Sequence, residues 1–203
     1  EEATVDKFGY SVAVHGDTAV IGVPYGSCAG IVTGTAYVFT LSGGTWTQQA
    51  ELAALDGADD DNFGYSVAVY GDTAVIGAPC DSDSGTCSGA AYLFARSNGI
   101  WEQAAKLTAA DGVADDNFGY SVALNGDIAV IGAPYAGRFW SQYYCGSAYV
   151  FSRSVSSVTN EIAWKQQAKL TASDGESGDN FGTSVAVYGD TAVIGAPYND
   201  SVG

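Results

Sequence analysis

Carboxylates, thiols and one aromatic loop are the residues whose types and spacing could do chemistry in this chain. Three acidic linkers recur. Asp56-Gly57-Ala58-Asp59-Asp60-Asp61-Asn62 returns as Asp111-Gly112 with Asp115-Asp116-Asn117, and as Asp174-Gly175 with Asp179-Asn180. Carboxylate and backbone oxygens gathered in this way suit a hard cation such as calcium. Asp56, Asp59, Asp61, Asp111, Asp115, Asp116, Asp174 and Asp179 are therefore candidate metal ligands. The same composition suits turns, because Asx side chains cap the backbone and glycine supplies positive φ. A further run, Asp81-Ser82-Asp83-Ser84-Gly85, opens like a calcium loop but lacks a closing acidic residue.

Four cysteines, Cys28, Cys80, Cys87 and Cys145, show no metal-type spacing. An even count in an acidic, lysine-poor chain fits an oxidising, extracellular setting. Four buried thiols in a reducing compartment are the alternative. Cys80 and Cys87 flank one loop, so a local Cys80–Cys87 disulfide is the expected pair. Cys28 and Cys145 are then free or bonded to another copy, since connectivity is not fixed by sequence. The loop Arg138–Tyr144 holds Phe139, Trp140, Tyr143 and Tyr144. Loop aromatics serve sugar stacking or protein interfaces, or they cover a neighbouring loop as a local mini-core. Asn199-Asp200-Ser201 is an N-glycosylation sequon, which makes Asn199 a candidate acceptor.

Nothing points to catalysis. The serine of Ser-Val-Ala-Val recurs in the repeats, whereas a catalytic residue is normally unique. The nucleophile-elbow and phosphate-loop patterns are absent. The single histidine, His15, stands where Tyr70, Asn125 and Tyr188 stand elsewhere, so it reads as a turn residue. Trp46, Trp101 and Trp164 also repeat, which favours packing over a ligand platform.

The elements that position these residues form an internal repeat. Phe-Gly begins at Phe8, Phe63, Phe118 and Phe181, spaced 55, 55 and 63 residues apart. Residues 63–79 read FGYSVAVYGDTAVIGAP and residues 118–134 read FGYSVALNGDIAVIGAP. The chain reads as one repeat domain, 1–203, with modules 8–62, 63–117 and 118–180 and a partial module 181–203. Each full module predicts four strands. The first runs from Phe63 to Tyr70, with Gly71-Asp72 turning the chain, and Asn125-Gly126 is the corresponding hairpin signal in module three. The second, Thr73–Ala78, is apolar on both faces and should be buried on both. The third is Ala91–Ala95. The fourth, Trp101–Thr108, mixes Glu102, Gln103 and Lys106 among apolar residues, as an outer edge strand does. Four antiparallel strands per repeat predict an all-β, propeller-type array of about three and a half blades.

Composition agrees. Seven Lys+Arg stand against 23 Asp+Glu, for a net charge of −16, which excludes nucleic acid and anionic lipid as partners. At 47% hydrophobic residues the chain can build a core. It has no apolar run long enough to span a membrane as a helix. It contains no Met and opens without a signal peptide, so it reads as a processed product or an excerpt.

The block from Phe63-Gly64 to Gly77-Ala78-Pro79 repeats as Phe118-Gly119 to Gly132-Ala133-Pro134 and as Phe181-Gly182 to Gly195-Ala196-Pro197, with Gly22-Val23-Pro24 in module one. It resembles the FG-GAP repeat family, the blade type of the integrin α-subunit propeller and of many bacterial extracellular repeat proteins. The resemblance implies a propeller of about seven blades with adhesive or ligand-binding roles. Integrin-type calcium sits in a long acidic loop between the first two strands, but here that connection is only Gly-Asp. A turn this short cannot supply six to eight oxygens, so that site is not carried over. The expectation is a non-catalytic, extracellular or cell-surface scaffold whose partner is another protein, a glycan or further copies of itself, because open repeats can assemble into fibres. A carbohydrate- or ligand-binding module using calcium is the alternative.

Overall fold

Gly-Asp pairs turn the chain between the first two strands of every module in the computed structural model, which describes residues 6–27, 32–137, 144–155 and 162–200. Tyr70 pairs with Thr73 across Gly71-Asp72, and Asn125 pairs with Ile128 across Gly126-Asp127. In each turn only the glycine takes a positive φ, 58° at both Gly71 and Gly126. The hairpin expected at Asn125-Gly126 is thus one residue further on, and Asn125 ends its strand.

Three sheets have four antiparallel strands in sequence order. The first contains β1 (Ser11–His15), β2 (Thr18–Val23), β3 (Thr35–Ser42) and β4 (Thr45–Leu52). The second contains β5 (Ser66–Tyr70), β6 (Thr73–Ala78), β7 (Ala90–Ser97) and β8 (Ile100–Leu107). The third contains β9 (Ser121–Asn125), β10 (Ile128–Ala133), β11 (Ser147–Val155) and β12 (Ile162–Leu170). The last module adds the pair β13 (Ser184–Tyr188) and β14 (Thr191–Gly195). The inner strands β1, β5, β9 and β13 lie side by side, so the sheets are successive blades of a partial propeller. None of the described residues is helical, and no helix is long and apolar enough to cross a membrane, which does not bear on β-barrels.

The first strand is shorter than expected, starting at Ser66 rather than Phe63. Phe63 instead pairs with the preceding blade: its N–H donates to the Thr33 carbonyl at 2.9 Å, and it bridges Gly34 in parallel. β6 is buried on both faces, as its apolar run requires. Ala74 and Ile76 join the core shared with the first blade, and Val75 joins the core shared with the third. β8 lies at the outer edge, where its mixed polarity meets solvent.

One contact joins each blade to the next. Ser11 Oγ donates to the Gly64 carbonyl at 2.8 Å, Ser66 Oγ to Gly119 at 2.8 Å, and Ser121 Oγ to Gly182 at 2.7 Å. A Cβ built on Gly22, Gly77 or Gly132 would lie 2.0 Å from that same carbonyl oxygen. The glycine of Gly-Ala-Pro is therefore needed because the next Phe-Gly carbonyl occupies its side-chain space. Gly77→Ala should cost about 3 kcal/mol, because backbone rather than a movable side chain blocks the new methyl. Ser66→Ala should cost about 1 kcal/mol, one hydrogen bond. Urea unfolding of both variants checks the order, and equal costs would contradict it.

Candidate functional site

The acidic linkers, the variable loops after each Pro and the Phe-Gly starts meet at one end of the blades. Three linker acids close turns. Asp61 Oδ2 accepts from Ala58 N–H at 2.7 Å, Asp116 Oδ2 from Val113 N–H at 2.9 Å, and Asp179 Oδ2 from Glu176 N–H at 2.8 Å. All three are buried. Asp59 Oδ1 accepts from Val32 N–H at 3.1 Å, and the Asp115 N–H donates to Thr86 O at 2.7 Å, so both tie the linker to the preceding blade's loop. This is the turn reading of these residues, realised in detail. Asn199 Nδ2, the atom a glycan would modify, donates to Asp179 at 3.0 Å.

Asp56 and Asp111 face lysines of the following blade. Lys106 Nζ lies 2.8 Å from Asp56, 2.8 Å from Asp81 and 2.6 Å from Asp83. Asp81 is buried and also accepts from Tyr92 OH at 2.7 Å. Burial alone would lower the Lys106 pKa, but its bonds to Asp56, Asp81 and Asp83 raise it well above the usual lysine value. In the next blade Lys169 Nζ lies 2.6 Å from Asp111, which also accepts from Tyr149 OH at 3.1 Å. Asp174, at the same linker position, is exposed. Asp56, Asp81 and Asp83 form an acidic cluster that could hold a metal, their ligand atoms within 4.8 Å of one another. The group that fits them is the Lys106 ammonium, because a divalent ion would have to displace it. Asp81 and Asp83 belong to the run that lacked a closing acid, and a lysine from the outer strand completes their site instead.

An arc of tyrosines crosses the same end. Tyr10 packs against Tyr65 in a tilted arrangement at 4.9 Å between ring centroids, and Tyr65 against Tyr120 at 5.0 Å. Tyr25 meets Tyr10 at 6.4 Å, Tyr135 meets Tyr120 at 6.1 Å, and Tyr144 meets Tyr135 at 5.6 Å. Burial and bonds to Tyr10 and Tyr120 push the Tyr65 phenol far above its usual value. Tyr144 thus joins the aromatic-loop candidate to a larger surface, while Phe139, Trp140 and Tyr143 lie outside the described residues. So does Cys28. The Cys145 carbonyl accepts from Phe181 N–H at 3.0 Å, and Cys80 and Cys87 stand at the two ends of one loop. The sequence reading missed the arc, although Tyr follows Phe-Gly in three modules and Pro in three.

At the opposite end His15 is more than a turn residue. Its Nδ1 accepts from Gly71 N–H of the next blade at 3.0 Å, and its ring packs at a tilt against Tyr70, 4.4 Å between centroids. Trp101 is packed into the core with its Nε1 donating to Gln49 of the preceding blade at 3.0 Å. Trp46, at the same place in the first sheet, is 43% exposed. The same contrast runs along the first blade. Phe8 is 59% exposed where Phe63 and Phe118 are fully buried, and Val12 and Val14 are 66% and 64% exposed where Val67 and Val69 are 9% and 7%.

A sequence-family model described as FG-GAP repeat matches residues 1–39, 46–94, 101–151 and 164–203. The chain belongs to the FG-GAP repeat family. Integrin alpha-7 of Rattus norvegicus is 29% identical over 176 residues, covering 79% of this chain and 15% of that protein. Integrin alpha-7 of Mus musculus is 29% identical over 79% of this chain and 14% of its own length. The chain thus spans about a seventh of these relatives. Among solved structures, Sqt1 from Chaetomium thermophilum aligns with a TM-score of 0.51 at 16% identity, over 86% of this chain and 38% of that one, a likeness of fold. The FG-GAP motif names the two partners of the blade-to-blade contact: the Phe-Gly carbonyl and the Gly-Ala-Pro glycine that receives it.

Two expectations follow from this FG-GAP loop end. Lys106→Met should lower stability by about 3 kcal/mol, because it strands the buried Asp81 carboxylate. Calcium at millimolar levels should restore part of the loss in the variant and leave the parent chain unchanged. Thermal melts with calcium and with chelator decide this, and a chelator-sensitive parent would show that a metal competes with Lys106. The second expectation concerns pH. Burial pushes the Asp61 carboxyl up to about 6 from 3.8, against the Ala58 N–H bond that favours the anion. Its contribution therefore favours the fold below about pH 4 and is lost as the pH rises through about 6. Burial would also raise Asp56 and Asp111, but Lys106 and Lys169 hold both below the usual range, so their contribution is lost only as the pH falls below about 4. Asp61→Asn keeps the Ala58 acceptor and should add about 2 kcal/mol at neutral pH and nothing at about pH 4. Urea midpoints across that range check it.

Proposed function

We propose that this chain is a non-catalytic, extracellular or cell-surface scaffold whose blades join further modules of the same kind, giving regular assemblies that carry its loops to a partner. One observation carries the reading. The blade-to-blade contact is made three times inside the chain, and each half of it is also left open once. Phe8-Gly9 presents the inserting half, with Phe8, Val12 and Val14 exposed and nothing within 4 Å of the space beside Gly9. Ser184 and Gly195 present the receiving half: only Ser184 stands close to Gly195, where a Phe-Gly carbonyl faces Gly22, Gly77 and Gly132. Further modules of the same kind, in the same chain or in a second copy, offer the missing half at each end, and a contact of this head-to-tail kind between copies closes a ring or grows a filament. The even cysteine count supports an oxidising, extracellular setting.

Sedimentation velocity tests this. The chain should form concentration-dependent assemblies that grow as salt screens the net charge of −16. Phe8→Asp should leave a folded monomer. A parent chain that stays monomeric at every concentration and salt level overturns the reading.

The contact from Tyr144 to the tyrosine arc favours a second reading, a glycan- or protein-binding loop end. Glycan-array signal lost in a Phe139→Ala/Trp140→Ala double variant would support the sugar form, and no signal with any glycan would remove it. Calcium enters this reading only by displacing Lys106 from Asp56, Asp81 and Asp83.

A further inference from the structure

Cys80 and Cys87 close the neck of the loop that carries Asp81 and Asp83, and both are free, half-buried thiols. The Ser82 hydroxyl bridges their backbones, donating to the Cys80 carbonyl at 3.0 Å and accepting from Cys87 N–H at 3.1 Å. Across the same neck Gly89 N–H donates to the Asp81 carbonyl at 2.9 Å. The Cys80 and Cys87 thiols lie within hydrogen-bonding reach of one another. Backbone conformation gives no reason for cysteine at position 87: its φ is 46°, in a region that favours glycine and asparagine.

The neck also joins the second blade to the linker that leads into the third. Thr86, Cys87 and Ser88 offer their carbonyls to Asp115, Asn117 and Phe118 N–H at 2.7, 3.0 and 3.1 Å. Asn117 touches both sides of the neck: its backbone N–H holds the Cys87 carbonyl, while its Nδ2 donates to the Pro79 carbonyl at 3.0 Å and reaches Cys80 Sγ at 3.8 Å. Asp81 and Asp83, between the cysteines, hold Lys106. Fixing residue 80 to residue 87 would therefore fix the lysine clamp and the segment that leads into Phe118.

We propose that Cys80 and Cys87 are joined by thiol–disulfide exchange with a small-molecule disulfide such as oxidised glutathione, and that the bond locks the joint between the second and third blades. The Cys87 thiolate attacks the small disulfide and displaces one glutathione thiolate, leaving a mixed disulfide on Cys87. The Cys80 thiolate then attacks Cys87 Sγ, forms the protein disulfide and releases the second glutathione. Two thiol protons pass to solvent, the cysteines are oxidised and the glutathione is reduced. Burial and the neighbouring Cys87 push the Cys80 thiol up to about 12, which assigns it the second step, where the attack is within the chain.

The test incubates the 203-residue chain with oxidised glutathione at mildly alkaline pH and follows intact mass, peptide maps, melting and hydrogen exchange. The expected peptide map shows the segment holding Cys80 and Cys87 lighter by about 2 Da than its reduced form, with the two residues linked and no glutathione on either. Its melting temperature should rise by about 5 °C and fall back with reductant. Amide exchange in residues 111–118 should slow on oxidation. Cys80→Ser should trap the mixed disulfide on Cys87, and Cys87→Ser should gain neither the bond nor the melting shift. A linkage of Cys80 to Cys28 or Cys145, or a segment holding Cys80 and Cys87 with no mass loss, overturns the pairing. A Cys80–Cys87 bond that leaves exchange at 111–118 unchanged overturns the locked joint. Neither result bears on head-to-tail assembly, which sedimentation of the reduced chain reads separately.

Discussion

A carbonyl oxygen seated where a side chain would otherwise stand sets the spacing of the whole array. The Phe-Gly carbonyl of each blade enters the space beside the Gly-Ala-Pro glycine of the blade before it and takes a hydrogen bond from the inner-strand serine. That approach brings two backbones together, so it demands small residues on the receiving side. It also turns the chain at Phe-Gly, which carries Phe63 and Phe118 into the core shared with the preceding blade and sets Tyr65 and Tyr120 in line along the inner strands. The burial of Phe63 against Tyr92 and Phe94 thus follows from a contact between two glycines.

Charge is kept away from that interior and arranged at its two ends. The first two strands of each blade carry no Asp, Glu, Lys or Arg, and most acids lie in linkers and turns. Several are put to structural use: Asp61, Asp116 and Asp179 close the linker turns, and Asp56 and Asp111 reach the outer strand of the next blade through Lys106 and Lys169. At the opposite end Arg96 and Arg153 pair with the turn residues Asp72 and Asp127 of their own blades at 2.6 Å, and Arg96 also donates to Thr18 of the blade before. Lys106, Lys169 and Arg96 thus stand where one blade or its linker meets the next.

Much of this was legible in the sequence, for physical reasons. Phe-Gly and Gly-Ala-Pro repeat because a backbone contact admits few substitutions, and the apolar run Thr73–Ala78 announces a strand buried on both sides. The strand start at Phe63 was misread because alternation continues through Phe63 and Tyr65, while the backbone there pairs with the preceding blade. The partners of Lys106 could not be read, since Asp56 and Asp83 meet it from 50 and 23 residues away. The turn role of the linker acids was one of two open readings, and geometry separated Asp61, which bonds its own backbone, from Asp56, which reaches across to a lysine.

The third module shows where such a unit can grow. Its Phe-Gly pairs are 63 residues apart instead of 55, yet its inner strands keep the register of the second blade: Asn125 faces Ile128 as Tyr70 faces Thr73. Part of the added length falls at the outer hairpin, where β11 and β12 stay paired out to Val155 and Ile162. Length gained there changes no distance near the axis. The rim is therefore the natural grafting point of this architecture, where an epitope, a tag or a new loop could be inserted while the joints between blades remain as they are.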